Sequence, residues 1–294
     1  MKDKIHFIVN SRLVKAKTIL ERELKNNSYW ENNYQVFVWE SLYKGHALEL
    51  TQKAIRDDSK TVVACGGDGT INEIGRYLIE TDIPLGIVPL GSGNGFARHF
   101  KIPLNIRAAL QVIQAKTRVS VDAGLINQHF FLSNVGVGFE AHFINVYQKK
   151  STRGFISYCK ALVVALRAFI VNKHRIYYAD KTQEITPFSL MVSNTNQFGY
   201  NFSLTPESSI SDGKLELIIF KSKSVLALFK LFFASRFGVK LSQDLLEIIP
   251  VSKVRIALES SEFLFQFDGE INQCSSKEIV VQLHPRKLKV WVPS

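Results

Sequence analysis

An apolar run that ends in a cluster of glycines and continues as an amphipathic stretch reads as strand, tight turn and helix. This chain contains that arrangement twice in succession. Thr61 to Cys65 runs into Gly66-Gly67-Asp68-Gly69-Thr70, and Ile71 to Ile79 follows with helical spacing. Ile83 to Leu90 then ends in Gly91-Ser92-Gly93-Asn94-Gly95. Two consecutive βα units imply a parallel sheet. In such a sheet both turns emerge at the carboxyl-end edge, where ligands bind.

The segments before these turns extend the alternation. Ile5 to Val9 reads as a buried first strand, Val14 to Leu24 as a helix, Tyr34 to Trp39 as a second strand and Gly45 to Ile55 as a second helix. Past residue 118 the pattern changes to short β-rich runs: Val119–Asp122, His129–Asn134, Arg175–Tyr178, Phe188–Ser193, Lys214–Phe220, Val254–Leu258, Phe263–Phe267 and Glu278–Leu283. One helix, at about 153–171, interrupts them. Short strands separated by turn residues predict an antiparallel β-sandwich. The expected organisation is an α/β domain over 1–122 and a β-sandwich domain over 123–294. The last residues, Lys287 to Val292, suit a strand of either domain.

The 294 residues suffice for two cores, and 46% hydrophobic with 21% charged residues is globular composition. Three cysteines, none close to another in sequence, argue against a disulfide framework or a zinc site and for a reducing, cytoplasmic setting. A net charge of +11 suggests an anionic partner. No groove-reading motif points to nucleic acid. Lys160 and Arg167 interrupt the most apolar stretch, so membrane contact is expected to be peripheral. The amphipathic stretches near 153–171 and 225–237 suit either a core helix or a helix resting on a bilayer.

The chemistry is read from three turns. Successive backbone N–H groups in a glycine-rich turn, joined by the positive end of a helix, make an anion site. Gly66, Gly67 and Gly69 would let a phosphate approach the backbone. Asp68 would repel that phosphate unless Mg²⁺ lies between them or a proton must be taken. Thr70 and Asn72 suit either a helix cap or a phosphate contact, and Ser92 and Asn94 offer further hydrogen bonds. Far along the chain, Asp268-Gly269-Glu270 suits either a type I′ hairpin or a carboxylate that accepts a hydroxyl proton. Ser211-Asp212-Gly213 suits either a solvated turn or a hard-cation site.

VVACGGDGTINEI and PLGSGNGFAR resemble the two nucleotide loops of the diacylglycerol-kinase catalytic family, which includes sphingosine and ceramide kinases. FLSNVGVGFEA resembles the start of that family's second domain, NQFGYNFSLTPESSISDGKLELIIF its bacterial Mg²⁺ stretch and FQFDGE its catalytic motif. The resemblance implies an ATP-dependent lipid kinase. It places ATP contacts at Asn10, Ser41, Gly66, Gly67, Asp68, Gly69, Thr70, Ile71, Asn72, Glu73, Ser92, Gly93 and Asn94. It places Mg²⁺ at Asp212 with the carbonyls of Ser209 and Lys214, and makes Glu270 the proton acceptor with Asp268 and Asp68 as supporting acids. Two departures stand out. Asn10-Ser11-Arg12-Leu13-Val14 keeps the family's Asn but lacks its Pro and Gly, and Gly95 replaces the Asp common in bacterial diacylglycerol kinases.

The implied acceptor is diacylglycerol or a related membrane lipid, with a sphingoid base as the alternative. An anionic membrane surface and a homodimer are the further partners considered. A NAD kinase shares the GGDGT loop and a two-domain plan, but GSGNGFAR suits the lipid branch better. A non-catalytic nucleotide- or lipid-binding regulator is the alternative of another class.

Overall fold

The computed structural model describes residues 2–150, 155–196, 208–224, 226–227, 230–231, 233–234, 239, 241–258, 263–274 and 276–294. The chain divides into two compact units, 1–121 with 285–294, and 122–284. Residues 197–207, part of the stretch likened to a Mg²⁺ segment, lie outside the described residues, as do the first two of the helix expected at 153–171.

In the first unit the elements are β1 (Asp3–Asn10), α1 (Val14–Lys25), α2 (Ser28–Asn33), β2 (Tyr34–Ser41), α3 (His46–Arg56), β3 (Ser59–Gly66), α4 (Asp68–Leu78), β4 (Leu85–Pro89), α5 (Gly95–His99), α6 (Ile106–Ala115) and β5 (Arg118–Val121). Ile5 to Val9 and Thr61 to Gly66 are buried without a break, as central strands covered on both faces must be. The strand order is β2-β1-β3-β4, so the chain moves to one side of β1 and then crosses to the other. That reversal creates a crevice beyond the carboxyl ends of β1 and β3. Leu288–Trp291 returns to this sheet, parallel to β4 and antiparallel to β5.

The second unit contains β6 (Gly124–Ile126), β7 (His129–Phe131), β8 (Asn134–Gly138), α7 (Phe139–Gln148), α8 (Phe155–Ala168), β9 (His174–Tyr178), β10 (Lys181–Ile185), β11 (Ser189–Ser193), β12 (Leu215–Phe220), β13 (Leu246–Val251), β14 (Lys253–Leu258), β15 (Phe263–Phe267), β16 (Glu270–Cys274) and β17 (Glu278–Leu283). The returning strand Leu288–Trp291 is β18. Two antiparallel sheets, ordered β10-β9-β14-β17-β6-β7 and β13-β12-β11-β8-β15-β16, enclose a core that includes Phe131, Val137, Leu217, Ile256 and Phe265. The opposite face of the second sheet carries another apolar layer. There Phe188 and Phe220 pack with Phe139 and Phe143 of α7 and with Ala161 and Ala165 of α8.

Some elements differ from the sequence pattern. The run expected as one strand over 129–134 is two strands, because the chain between β7 and β8 turns its N–H groups onto Asp268. α2, α5, α6, α7, β6, β10, β13 and β16 were not expected. β13 contains Pro250 and lies at a sheet edge, where a missing N–H does least harm.

Candidate active site

The parallel pairing of β3 with β4, with Gly66 beside Pro89, places both glycine turns side by side. Their contact explains Gly67 and Gly91, and the Thr70 side chain explains Gly66. A Cβ on Gly66 would lie 2.4 Å from the Thr70 hydroxyl oxygen, and one on Gly91 would lie 2.5 Å from the Cα of Gly67. Gly67 and Gly91 therefore pack back to back, and Gly91 is a site-shaping residue missed by the sequence reasoning. The signal was present in its GSGNG string, but its partner was unknown. Gly69 is exposed and has open space around its Cβ direction, as a ligand-facing position requires. The first-turn N–H groups of α4, at Gly69 and Thr70, have no acceptor within the helix. Gly67 rather than Thr70 is the N-cap of α4.

Asp68 joins the two turns. Its carboxylate accepts N–H bonds from Gly95 and Phe96, both at 3.1 Å, at the start of α5. The sequence admitted a carboxylate here only beside Mg²⁺ or in a proton transfer. The fold supplies a third reason, because this carboxylate satisfies the open donors of a helix start. Asn94 is buried with a left-handed backbone (φ +51°). Its side-chain amide accepts from Gly91 N–H at 2.9 Å and donates to Gly91 C=O at 2.7 Å, which closes the second turn. Arg98 Nε donates to Gly93 C=O at 3.0 Å. Ser92 is exposed at the tip.

The remaining nucleotide-loop residues fall into two groups. Asn10 ends β1 and its side-chain oxygen accepts the Arg12 N–H at 3.1 Å, which shapes the turn that lacks Pro and Gly. Ser41 is buried at the end of β2, beside Asn10. Glu73 accepts the Gly45 N–H at 3.0 Å and ties α4 to the start of α3. Ile71 is wholly buried, so only its backbone could serve a ligand, and Asn72 is half-buried. His46 accepts the Leu42 N–H through Nδ1 and stacks on Tyr43, as suits a helix-start residue.

In the second unit, Asp268 and Gly269 occupy the centre of the β15–β16 hairpin with φ of +47° and +81°. These values suit a type I′ turn. The same Asp268 carboxylate accepts three backbone N–H bonds, from Leu132 (2.8 Å), Ser133 (2.7 Å) and Asn134 (3.0 Å). Gln266 supports the turn by accepting the Gly269 N–H and donating to Asn134. Asp268 thus holds the turn rigidly, and Glu270 follows it at the start of β16, half-buried. Nearby in sequence to this nest, Glu140 is a half-buried residue with an enclosed carboxylate oxygen, Oε2, and the sequence reasoning quoted it only as part of FLSNVGVGFEA. The Ser189 hydroxyl donates to one of its oxygens, the other has no hydrogen-bond partner among the described residues, and burial pushes its pKa up to about 8.

Asp212 is exposed and accepts the Lys214 N–H at 3.0 Å, while buried Asp122 accepts the Gly213 N–H at 2.8 Å. Ser209 is exposed in the same turn. Burial and the nearby Asp212 charge raise the pKa of Glu216. Such oxygen donors suit a hard cation, which would also relieve that repulsion. Among the described residues no three His, Cys, Asp or Glu side chains converge on one metal position.

This arrangement matches known proteins in both units. The profile "Diacylglycerol kinase catalytic domain" matches residues 4–126, and "YegS C-terminal NAD kinase beta sandwich-like domain" matches 133–292. A protein of Chromohalobacter salexigens named "Probable lipid kinase YegS-like" is 30% identical, over 87% of this chain and 82% of its own. A Klebsiella pneumoniae protein of the same name is 28% identical, over 87% and 84%. The chain belongs to this lipid-kinase family. Lipid kinases are phosphotransferases, and kinase activity implies ATP as donor. Among solved structures, a diacylglycerol kinase from Bacillus anthracis superposes with a TM-score of 0.75 at 19% identity, covering 99% of this chain and 97% of that one. A NAD kinase from Archaeoglobus fulgidus in complex with ATP superposes at 0.52 and 13% identity, covering 98% and 93%. These two likenesses bear on the fold, an α/β unit with a parallel sheet and an antiparallel sandwich.

Proposed function

We propose that the protein transfers the γ-phosphoryl group of MgATP to a hydroxyl of a membrane lipid, diacylglycerol or a close relative. The observation that carries this is the pair of glycine turns on adjacent parallel strands, tied together by Asp68, within a family of lipid kinases. The N–H groups of Gly69 and Thr70 and the exposed Ser92 are the donors offered to phosphate oxygens. The acceptor hydroxyl oxygen bonds to the γ-phosphorus, the bond from that phosphorus to the bridging oxygen breaks, and ADP leaves. The hydroxyl proton passes to the Glu270 carboxylate. Asp268, engaged by three N–H groups, fixes the turn from which Glu270 projects. A Mg²⁺ held by Asp212 and the carbonyls of Ser209 and Lys214 would brace that turn and take no part in the transfer.

The test incubates the protein with labelled ATP, Mg²⁺ and a panel of lipids in mixed micelles, with NAD in parallel. Label on diacylglycerol or a sphingoid base is expected, and which of them is labelled decides the acceptor. Label on NAD alone, or on none of them, would sink the proposal.

A further inference from the structure

Glu270 stands where a two-residue hairpin gives way to the last strand of a sheet. In the order β13-β12-β11-β8-β15-β16, β16 comes at the end and pairs with β15. The residue before Glu270 is Gly269, with φ of +81° and open space around its Cβ direction. A carboxylate that takes a proton from a hydroxyl needs a defined place, and an edge strand entered through glycine is a loose support for one.

The structure fastens this turn from two sides. From within the sheet, the Gly269 N–H donates to Oε1 of buried Gln266 at 3.0 Å, and Gln266 Nε2 donates to Asn134 Oδ1 at 2.8 Å. The Asp268 N–H donates to the Asn134 carbonyl at 2.9 Å. From outside the sheet, Nε2 of Gln148, the last residue of α7, donates to the Gly269 carbonyl at 3.0 Å. Both backbone polar groups of Gly269 are thus engaged by glutamine side chains.

The two glutamines act on different peptide groups. The Gly269 N–H belongs to the peptide that joins Asp268 to Gly269, whereas the Gly269 carbonyl belongs to the peptide that joins Gly269 to Glu270. A peptide group is planar, so fixing the direction of that carbonyl fixes the plane in which the nitrogen and Cα of Glu270 lie. Gln148 therefore acts on the backbone that carries the Glu270 side chain.

α7 is held firmly enough to do this. Its first turn lies against β8, where a Cβ on Gly136 would meet the Cβ of Glu140 at 2.5 Å. Phe139 stacks on Phe188 with ring centres 4.4 Å apart, Phe143 is buried in the same layer, and Ser189 donates to Glu140. The helix also packs against β15 and β16. From Glu140 to Gln148 it rises about 12 Å, which carries it from this buried anchor to the exposed turn.

We infer that α7 braces the Asp268-Gly269-Glu270 turn and that Gln148 is a positioning residue for the Glu270 carboxylate. Its amide bonds to backbone and exchanges no proton with the substrate. The inference rests on the reading of Glu270 as the proton acceptor.

The experiment measures kcat and the KM for ATP in mixed micelles containing whichever lipid the wild type phosphorylates. Gln148→Met keeps the length of the side chain and removes its donor, whereas Gln148→Lys restores an N–H donor at similar reach. Gln148→Met should lower kcat about five-fold, the worth of one hydrogen bond, and leave the KM for ATP unchanged. Gln148→Lys should recover most of that loss. In a Glu270→Gln background, Gln148→Met should cost little more, because its effect passes through Glu270. Urea unfolding should show both single Gln148 variants as stable as wild type, since the side chain is exposed. An unchanged kcat in Gln148→Met overturns the inference and leaves the kinase reading standing. So does a loss that Gln148→Lys fails to restore, or one that recurs in full in the Glu270→Gln background. A wild type that phosphorylates no lipid, or near-normal turnover in Glu270→Gln alone, overturns the reading beneath the inference and the inference with it.

Discussion

Asp68 and Asp268 both lie in glycine-containing turns, and in both the carboxylate is engaged by backbone N–H groups, yet the two turns are built differently. Asp68 takes two donors from the start of a five-residue helix and thereby joins two separate loops. Asp268 takes three donors from the bend between β7 and β8 and the first residue of β8, and holds a hairpin whose central residues are both left-handed. The first acid ties one glycine turn to the helix that follows the other. The second fixes the direction in which its neighbour, Glu270, leaves the turn. An acidic residue in a glycine-rich turn is therefore weak evidence of direct chemistry until its hydrogen bonds are counted.

The largest effect should separate Glu270 from Asp268. Glu270→Gln keeps the shape and removes the base, so turnover should fall about 10²–10⁴-fold while ATP affinity stays near wild type. Steady-state kinetics with isothermal titration checks both. Near-normal turnover in Glu270→Gln would remove it from the proton-transfer role.

The second contrast is between the two units' buried titratable groups. Burial pushes Glu140 up to about 8, so it folds neutral and its contribution is full below its ordinary pKa near 4.5. That contribution is lost as pH rises towards 8, by roughly 4–5 kcal/mol at the alkaline limit. His6 in the first unit behaves oppositely. Burial beside Phe37 and Trp39 pushes it down to about 4, so its contribution is full above its ordinary pKa near 6.5 and is lost as pH falls towards 4, by about 3 kcal/mol. Urea unfolding followed from pH 4 to 9 should show the two units failing at opposite ends. Glu140→Gln should flatten the alkaline limb and His6→Gln the acid limb. A limb unchanged by its own substitution removes that residue as its cause.

Asp268→Asn should come next in size. The amide keeps one accepting oxygen and turns its NH2 towards at least one of the three N–H donors, so the second unit should lose about 1–3 kcal/mol in chemical denaturation. Asp68→Asn should instead lower ATP affinity more than stability, because it loosens one loop against another. If the two variants show the same ratio of stability loss to affinity loss, the contrast between joining loops and holding a hairpin fails.

The smallest effect concerns the glycine pair. A Cβ on Gly91 meets backbone at 2.5 Å, whereas one on Gly67 has 3.2 Å. Gly91→Ala should therefore weaken ATP binding more than Gly67→Ala, whose expected loss is about ten-fold or 1.4 kcal/mol. The reverse order would mean that phosphate approach, rather than contact between the turns, requires glycine at 67.

Much of this was legible in the chain itself. Unbroken burial of Ile5 to Val9 and of Thr61 to Gly66 follows from short apolar runs bounded by turn residues, and Gly-Gly-Asp-Gly-Thr marks where a strand must hand over to a helix. These are local signals, set by the conformational preferences of neighbouring residues. Asp-Gly as a hairpin centre was legible for the same reason. What Asp68 and Asp268 bond to was not, since their donors lie up to 28 and 136 residues away in sequence, at Phe96 and Leu132. Nor could the sequence say which side of α8 faces inward. Its hydrophobic pattern would bury Val163 and Val164, yet the fold buries Ala161 and Ala165. The aromatic surface of Phe139, Phe188 and Phe220 fills the space beneath the helix, so the small Ala161 and Ala165 take the fully buried positions while Leu162 and Leu166 pack beside them, partly buried.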